Sequence, residues 1–514
     1  MKLLSVSFPR HDGSISYFDG KVVRYIKLER IKQNKRFHYN NRWEWIREIK
    51  NVWGLDITEV DEIVFDFHVD PWSNDYDFNN IPLPIKRVLD GEINAVRITE
   101  DINPFKHYFS HKNMWFIGHH YAHSLSSWML LDKKTDVDIV IDGLGDNRTW
   151  SVFKNDTLVA SGDPRNGSFG GEMFKCGNWL NIKASHGNDI PGKVMGIQSY
   201  GNLDEQYLDY LRQFNYSQIT EVFSIENWQR YKKNDLLGNL TPLDWIKTVH
   251  QRCGELILDI FNTYCHRNDV ISYSGGVAQN VIWNTELKNK FPNLVIPPHS
   301  SDEGLSLGGI EWLRKKNNLP RFTIENFPYS QSDFSPKSIP EESTIFEASN
   351  LLSKGKIIAW YQGNGEVGPR ALGNRSILMD PRIKNGRDLI NQVKNREKYR
   401  PFGASILEEY TNQYFDIDWT DPYMLFTAKL KVSGLDSITH IDSTCRIQTV
   451  SKRQNPIYRR LLERFYELTR CPILLNTSLN TSGLPLSGYP EVALDLFNST
   501  SIDAVFIGNE FFVK

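Results

Sequence analysis

Long apolar runs are missing from this 514-residue chain. No stretch of eighteen consecutive apolar residues occurs, so a membrane-spanning helix is not expected and no membrane partner is assigned. Cysteine is scarce as well. Cys176, Cys253, Cys265, Cys445 and Cys471 are odd in number, far apart and never in a CxxC pair. That spacing argues against a disulfide framework or a zinc–thiolate centre and fits a reducing, cytoplasmic setting. Charge of one sign is also lacking: 60 Lys and Arg face 62 Asp and Glu, for a formal net charge of −2. Nothing in that balance draws the whole chain to nucleic acid.

What is present is an ordinary globular composition, 40% hydrophobic and 24% charged, in a chain too long for one core. Two domains or three are expected. The opening MKLLSVSFPRHDGS reads as a first strand and its turn rather than a signal peptide. Strands are expected at LLSVSF, ISYF and KVVRYI, joined by HDGS and Asp-Gly turns, and again at EIVFDF (62–67), VDIVID (137–142), WSVFK (150–154) and DVISYS (269–274). Between them, Pro242 to Cys265 carries an apolar stripe at helical spacing. The mixture is of the α/β class. Residues 326–344, rich in Pro, Ser and charge, mark a boundary. It divides a unit of residues 1–330 from one of residues 345–514, with a linker at 331–344. No internal repeat is evident.

Local charge departs from the average between Lys21 and Lys50, where ten Lys and Arg accompany three Glu. Tyr25, Phe37, His38, Tyr39, Trp43 and Trp45 lie among them. Basic groups attract phosphate and aromatic faces stack on bases, so residues 21–50 are a candidate nucleic-acid contact. A solvated helix over packed aromatics accounts for the same pattern.

Three constellations carry chemistry. In Gly118-His119-His120-Tyr121-Ala122-His123, His119 and His123 sit four apart, on one face if the segment is helical, where two imidazoles can share a cation. The glutamate of HExxH is missing, so zinc hydrolysis of that type is not indicated. Asp302, in PPHSSDEG, is a candidate third ligand or a helix cap. The second is Ser274-Gly275-Gly276-Val277-Ala278-Gln279-Asn280, directly after a strand, where glycine N–H groups can approach phosphate or sugar. Asp142, in an Asp-Gly turn, and Lys193, in GKVMGIQSYG, are further candidate phosphate contacts. The third is EVGPRALGNRS followed by KNREKYRPF, then Arg446 and the segment Asn476–Asn480. Its density of guanidinium groups beside loop glycines suits a polyanionic ligand.

Together these segments resemble the O-carbamoyltransferase family of antibiotic tailoring and nodulation-factor modification. The resemblance runs from HDGS through GHHYAH, SGGVAQN, GPRALGNRSILMDPR, VKNREKYRPF and STCRIQTV to PILLNTSLNTSG. It implies an actin-like (ASKHA) metal- and nucleotide-binding domain followed by a YrdC-like domain. ATP and carbamoyl phosphate would combine in the second, with Mg2+, to give carbamoyl-adenylate. The first would pass the carbamoyl group to an acceptor hydroxyl, on a sugar, a natural product or a hydroxymethylated nucleobase in DNA. Under this reading Lys394 and Arg400 serve the activation site, with Arg370, Arg375, Arg396, Arg446, Asn476 and Ser478 as anion contacts. His119, His123 and Asp302 match the ligands of a divalent metal, iron. His11, Asp12 and His120 are candidate acceptor or base residues. Gln198-Ser199 stands where the family usually shows Ala-Pro. A homodimer is left open. The alternatives are a threonylcarbamoyl-type tRNA modification enzyme or an actin-like kinase.

Overall fold

The computed structural model describes all residues except 9–10, 38–43, 68–80, 103–110, 112, 133, 227–228, 230–239 and 333. Among the described residues the strands form three sheets. The first contains β1 (Leu3–Phe8), β2 (Ser14–Phe18), β3 (Val23–Lys27), β4 (Glu62–Phe67), β5 (Ala95–Ile98) and β6 (Met114–Ile117), ordered β3-β2-β1-β4-β6-β5. The second contains β7 (Val137–Gly145), β8 (Arg148–Lys154), β9 (Thr157–Ser161), β10 (Ile271–Ser274) and β11 (Leu294–Val295), ordered β9-β8-β7-β10-β11.

These two sheets share one plan. The leading strand, β1 or β7, pairs antiparallel with its hairpin partner on one side and parallel with β4 or β10 on the other. The sequence shows no repeat because the duplication lies in strand pairing, which many residue patterns satisfy, and not in residue identity. This paired, duplicated α/β arrangement is the actin-like architecture that the resemblance implies.

The parallel pairings need crossovers, and helices supply them. Pro242–Tyr264 starts at a capping box between Thr241 and Asp244 and buries a stripe from Trp245 to Phe261 under the second sheet. His119–Leu125 is buried on every side. It packs against Leu305–Lys316 so closely that a Cβ at Gly308 would lie 1.8 Å from the Ala122 carbonyl oxygen, so only glycine fits that crossing. Leu3, Val64, Ala122, Val140, Leu305 and Leu307 then form a core shared by both sheets.

The third sheet contains β12 (Ile358–Tyr361), β13 (Arg375–Met379), β14 (Gly403–Leu407), β15 (Thr427–Lys429), β16 (Thr444–Val450), β17 (Ile473–Ser478), β18 (Ala504–Ile507) and β19 (Glu510–Val513). Its order is β15-β16-β14-β17-β13-β12-β18-β19, and it has a large core of its own. The crossing into it is tighter than its composition suggests. Val22 bridges Thr323, Tyr25 bridges Gln331, and the Gln331 side chain accepts the Lys27 N–H at 2.8 Å. Residues 323 and 331 thus pin this segment to β3 on either side of a turn, and the next helix, Glu342–Ser353, already begins inside the expected linker.

The rear unit also inserts into the front. Gly368, at φ +101°, leaves its Cα so close to Pro298 that a Cβ would meet the carbonyl oxygen at 2.3 Å, and Arg30 donates to the Gly368 carbonyl at 2.7 Å. No described helix is long and apolar enough to cross a membrane.

Candidate active site

Helix His119–Leu125 delivers two imidazoles to one place. His119 and His123 rings lie 4.8 Å apart between centroids. His119 Nε2 is 3.2 Å from Asp142 Oδ2, and His123 Nε2 is 3.4 Å from Asp302 Oδ1. One ligand atom from each of these four buried residues lies within 4.8 Å of the others. His123 Nε2 and Asp302 Oδ1 have no hydrogen-bond partner, which is costly for buried polar atoms unless something binds them. Two imidazoles and two carboxylates form a donor set suited to a divalent transition metal, so the residues fit the metal implied above. Behind them Asp66 Oδ2 approaches His119 Nδ1 at 3.6 Å and accepts from Ser7 Oγ at 3.1 Å, the usual support for a ligating histidine. Burial would lower the His119 pKa, but Asp66, Asp142 and Asp302 outweigh it and raise the value well above the usual range.

Asp142, read above as a phosphate contact in an Asp-Gly turn, joins the metal-type cluster. It sits where the β7–β8 register slips between Ile141 and Gly145. That irregularity aims the carboxylate at the helix, while Oδ1 accepts the Gly276 N–H at 2.9 Å.

Beside the cluster stands a network of buried charges. Lys27 Nζ lies 3.1 Å from Asp12 Oδ1, 3.1 Å from Glu29 Oε1 and 3.4 Å from Glu303 Oε2. Arg36 pairs with Asp12 and reaches Asp189 at 3.3 Å, and Lys35 holds Asp189 at 2.6 Å. Burial would raise the Asp12 carboxyl, yet Arg36 and Lys27 keep it well below the usual carboxylate range. His11 Nδ1 is 3.0 Å from Asp12 Oδ2 and 3.6 Å from Asp302 Oδ2. Lys27, Glu29, Lys35 and Arg36 belong to the basic aromatic stretch, of which Tyr25, Arg30 and Trp45 are buried while Lys21, Arg24, Arg47 and Lys50 stay exposed. His38, Tyr39 and Trp43 lie outside the described residues.

The opposite wall is cationic. Arg370, Lys394, Arg396, Arg400 and Arg446 line it, and no carboxylate of the rear unit does so among the described residues. Lys394 Nζ is held by neutral oxygens, including Ser478 Oγ at 3.0 Å and Asn480 Oδ1 at 2.7 Å. Burial, then Arg396 and Arg400, push its pKa well below the lysine range. Burial likewise lowers Arg370, Arg396 and Arg446, and neighbouring guanidinium groups add to it in each case. Arg370 Nε and Arg446 Nε have no partner. Cations so arranged call for an anion. Both walls enclose one cavity of about 660 Å³, reached by His11, Asp12, Asp142 and Glu303 from the front and by the five cations from the rear.

Several expected contacts lie elsewhere. Arg375, at the start of β13, is fully buried, stacks 3.6 Å above Tyr361 and donates to the carbonyls of Gln362, Gly363 and Ser487. It braces loops and does not line the cavity. His120, one position along the helix from His119, points away from the cluster. Its Nδ1 bonds Ser151 Oγ at 2.8 Å, and burial followed by His119 lowers its pKa well below the usual range, so the base role does not fit it. The Gly275 N–H goes to Ser300 O at 2.7 Å and the Gly276 N–H to Asp142, which leaves neither for phosphate. Asn280 lines the cavity, but its Oδ1 caps Val281–Lys290 and its Nδ2 bonds His250 Nε2 at 3.0 Å. Asn476 also lines the cavity while its Nδ2 holds Ala371 O, Ser405 Oγ and Gln448 Oε1. Lys193 reaches the cavity, paired with Glu397 of the rear unit. Gln198 is buried, its amide turned to Met195 O and Ser199 Oγ.

Comparison with known proteins decides the family. Residues 2–310 match the carbamoyltransferase N-terminus and residues 349–514 the carbamoyltransferase C-terminus. The chain belongs to the carbamoyltransferase family. It is a transferase enzyme. Nodulation protein NolNO of Sinorhizobium fredii is 27% identical over 97% of this chain and 78% of its own length. Nodulation protein U of Azorhizobium caulinodans is 24% identical over 94% of both. The 3'-hydroxymethylcephem-O-carbamoyltransferase of Amycolatopsis lactamdurans is 35% identical over 45% of this chain and 46% of its own length.

Proposed function

We propose that this carbamoyltransferase makes carbamoyl-adenylate in the rear unit, as a YrdC-like activating domain, and that the front unit transfers the carbamoyl group to an alcohol. In the rear unit a water takes the phosphoryl group from carbamoyl phosphate, the freed carbamate oxygen attacks the α-phosphorus of ATP, and orthophosphate and pyrophosphate leave. The observation that carries this reading is the single cavity bounded by two unlike walls. Arg370, Lys394, Arg396, Arg400 and Arg446 would bind the phosphates of ATP and of carbamoyl phosphate, with Mg2+ carried by the nucleotide's own phosphate oxygens, offsetting charge on the departing pyrophosphate. Confinement between the two walls would limit loss of the adenylate to bulk water. The carbamoyl-adenylate would then stay within one cavity that His11 and Asp142 also line.

His119, His123, Asp142 and Asp302 would hold the divalent metal, iron on the family resemblance, which supplies positive charge to orient phosphate and stabilise the AMP that leaves. The acceptor oxygen attacks the carbamoyl carbon as the bond to the AMP oxygen breaks. Its proton passes to His11 Nε2, since Nδ1 is engaged with Asp12. The named cephem relative and the inward turn of residues 25–36 favour a small-molecule hydroxyl as acceptor over a hydroxymethylated base in DNA.

The test incubates the protein with labelled carbamoyl phosphate, ATP and a panel of sugars, hydroxymethyl compounds and hydroxymethylated DNA. Pyrophosphate and AMP should appear with an acceptor heavier by one carbamoyl group. Formation of ADP without carbamoyl phosphate would instead identify a kinase, and a requirement for threonine would identify the tRNA-modifying alternative.

A further inference from the structure

A primary amide differs from the methyl group of the same size by two N–H donors, and an enzyme that carries carbamoyl groups must recognise that difference somewhere. Acceptors free to do so are few on these walls. Among the described residues lining the cavity, two buried side-chain oxygens have no hydrogen-bond partner, Asn476 Oδ1 and Glu303 Oε1. Asn476 stands across Gly403 from Arg446, in the rear sheet. Glu303 follows the metal-type ligand Asp302 in the chain and is 1% exposed. Its other oxygen faces Lys27 Nζ at 3.4 Å, its backbone carbonyl accepts from Tyr25 Oη at 2.8 Å, and its charge is felt by Arg370 on the opposite wall. Glu303 therefore sits between the cluster that would discharge the adenylate and the cations that would form it. Its side chain is held by Lys27, and its Oε1 is buried at the cavity lining without a hydrogen-bond partner.

We propose that Glu303 is the amide-reading subsite of the transfer step: its Oε1 accepts an N–H of the carbamoyl group and so selects carbamoyl over acetyl. This rests on the carbamoyl-activation reading above. The selectivity follows from a general asymmetry, because a site built to bond an N–H leaves a buried acceptor unpaired when the analogue lacks it. Lys27 keeps Asp12 and Glu29 as partners when Glu303 is replaced, so the network need not collapse.

The experiment supplies ATP with either carbamoyl phosphate or acetyl phosphate and follows pyrophosphate release, which reports activation, and AMP release, which reports discharge to water or a panel alcohol. Wild type should discharge the carbamoyl adenylate about 10- to 100-fold faster than the acetyl adenylate. In E303L that ratio should fall to near one through loss of the carbamoyl rate, and E303Q, which keeps an acceptor oxygen, should restore most of it. Equal discharge of both acyl groups by wild type overturns the inference, as would a carboxyl that donates to the carbonyl oxygen common to both. An E303L defect that slows both adenylates alike shows a structural role and overturns it too. A wild type that releases no pyrophosphate with carbamoyl phosphate removes the activation reading and this inference with it.

Discussion

The front and rear walls of the cavity handle buried charge in opposite ways. On the front wall almost every charge has its partner inside the protein: Lys27 with Asp12, Glu29 and Glu303, Arg36 with Asp12 and Asp189. On the rear wall, cations stand beside cations, and burial together with mutual repulsion depresses Arg370, Lys394, Arg396 and Arg446. The Lys27 and Arg36 network of the front is therefore assembled before anything binds, and the rear is strained until an anion arrives. A wall built for repeated exchange of phosphates differs in this way from one built to hold a cation and position a proton.

The largest expected effect comes from removing that strain. Arg370→Met should lower kcat/KM for carbamoyl-phosphate-dependent pyrophosphate release about 10³-fold. It should also raise Tm in phosphate-free buffer by about 2 °C, since a buried guanidinium whose Nε has no partner is gone. Calorimetry that finds a lower Tm breaks the contrast. Next, Asp66→Asn should weaken metal binding about 10- to 100-fold by loosening His119, measured by iron titration, with pyrophosphate release unchanged. Loss of both activities would mean that the walls are coupled. Arg375→Ala should cost about 2–3 kcal/mol in denaturant unfolding, because it strands several buried carbonyls, while the KM for carbamoyl phosphate stays as it was.

The smallest effect concerns pH. The Lys394 pKa is depressed in the folded chain and near 10.5 when unfolded. Between those values the unfolded chain holds a proton that the folded chain lacks, so stability rises with pH there, by at most about 1.4 kcal/mol per unit. Lys394→Met should remove that slope from stability measured across the alkaline range. A slope that persists assigns it to another group.

Local signals carried much of this into view early. The spans expected for β1 and β4 coincide with the strands found, because unbroken apolar or alternating runs between turn residues leave little choice. His119, His123 and Asp302 do converge, as helical spacing allows for the first two. Asp142 was legible as a turn residue and phosphate contact and not as a member of the metal-type cluster, since that position depends on a helix some twenty residues earlier packing against a register slip. Arg375 was miscounted for the opposite reason. A tally of guanidinium groups cannot tell which one begins a strand and faces inward. Gly275, Gly276 and Asn280 looked free to meet a ligand, but their hydrogen bonds are satisfied by segments distant in sequence.

The bridging of residues 323–331 to β3 has a practical consequence for anyone exchanging halves between relatives. A tether pinned to β3 at Thr323 and Gln331 belongs structurally to the half it leaves. A chimera joined at residue 310, where the N-terminal match ends, would import a foreign edge beside β3 and lose the Gln331 amide that accepts the Lys27 N–H. A joint placed after Gln331 would carry that edge along intact and leave the rear unit free to be exchanged.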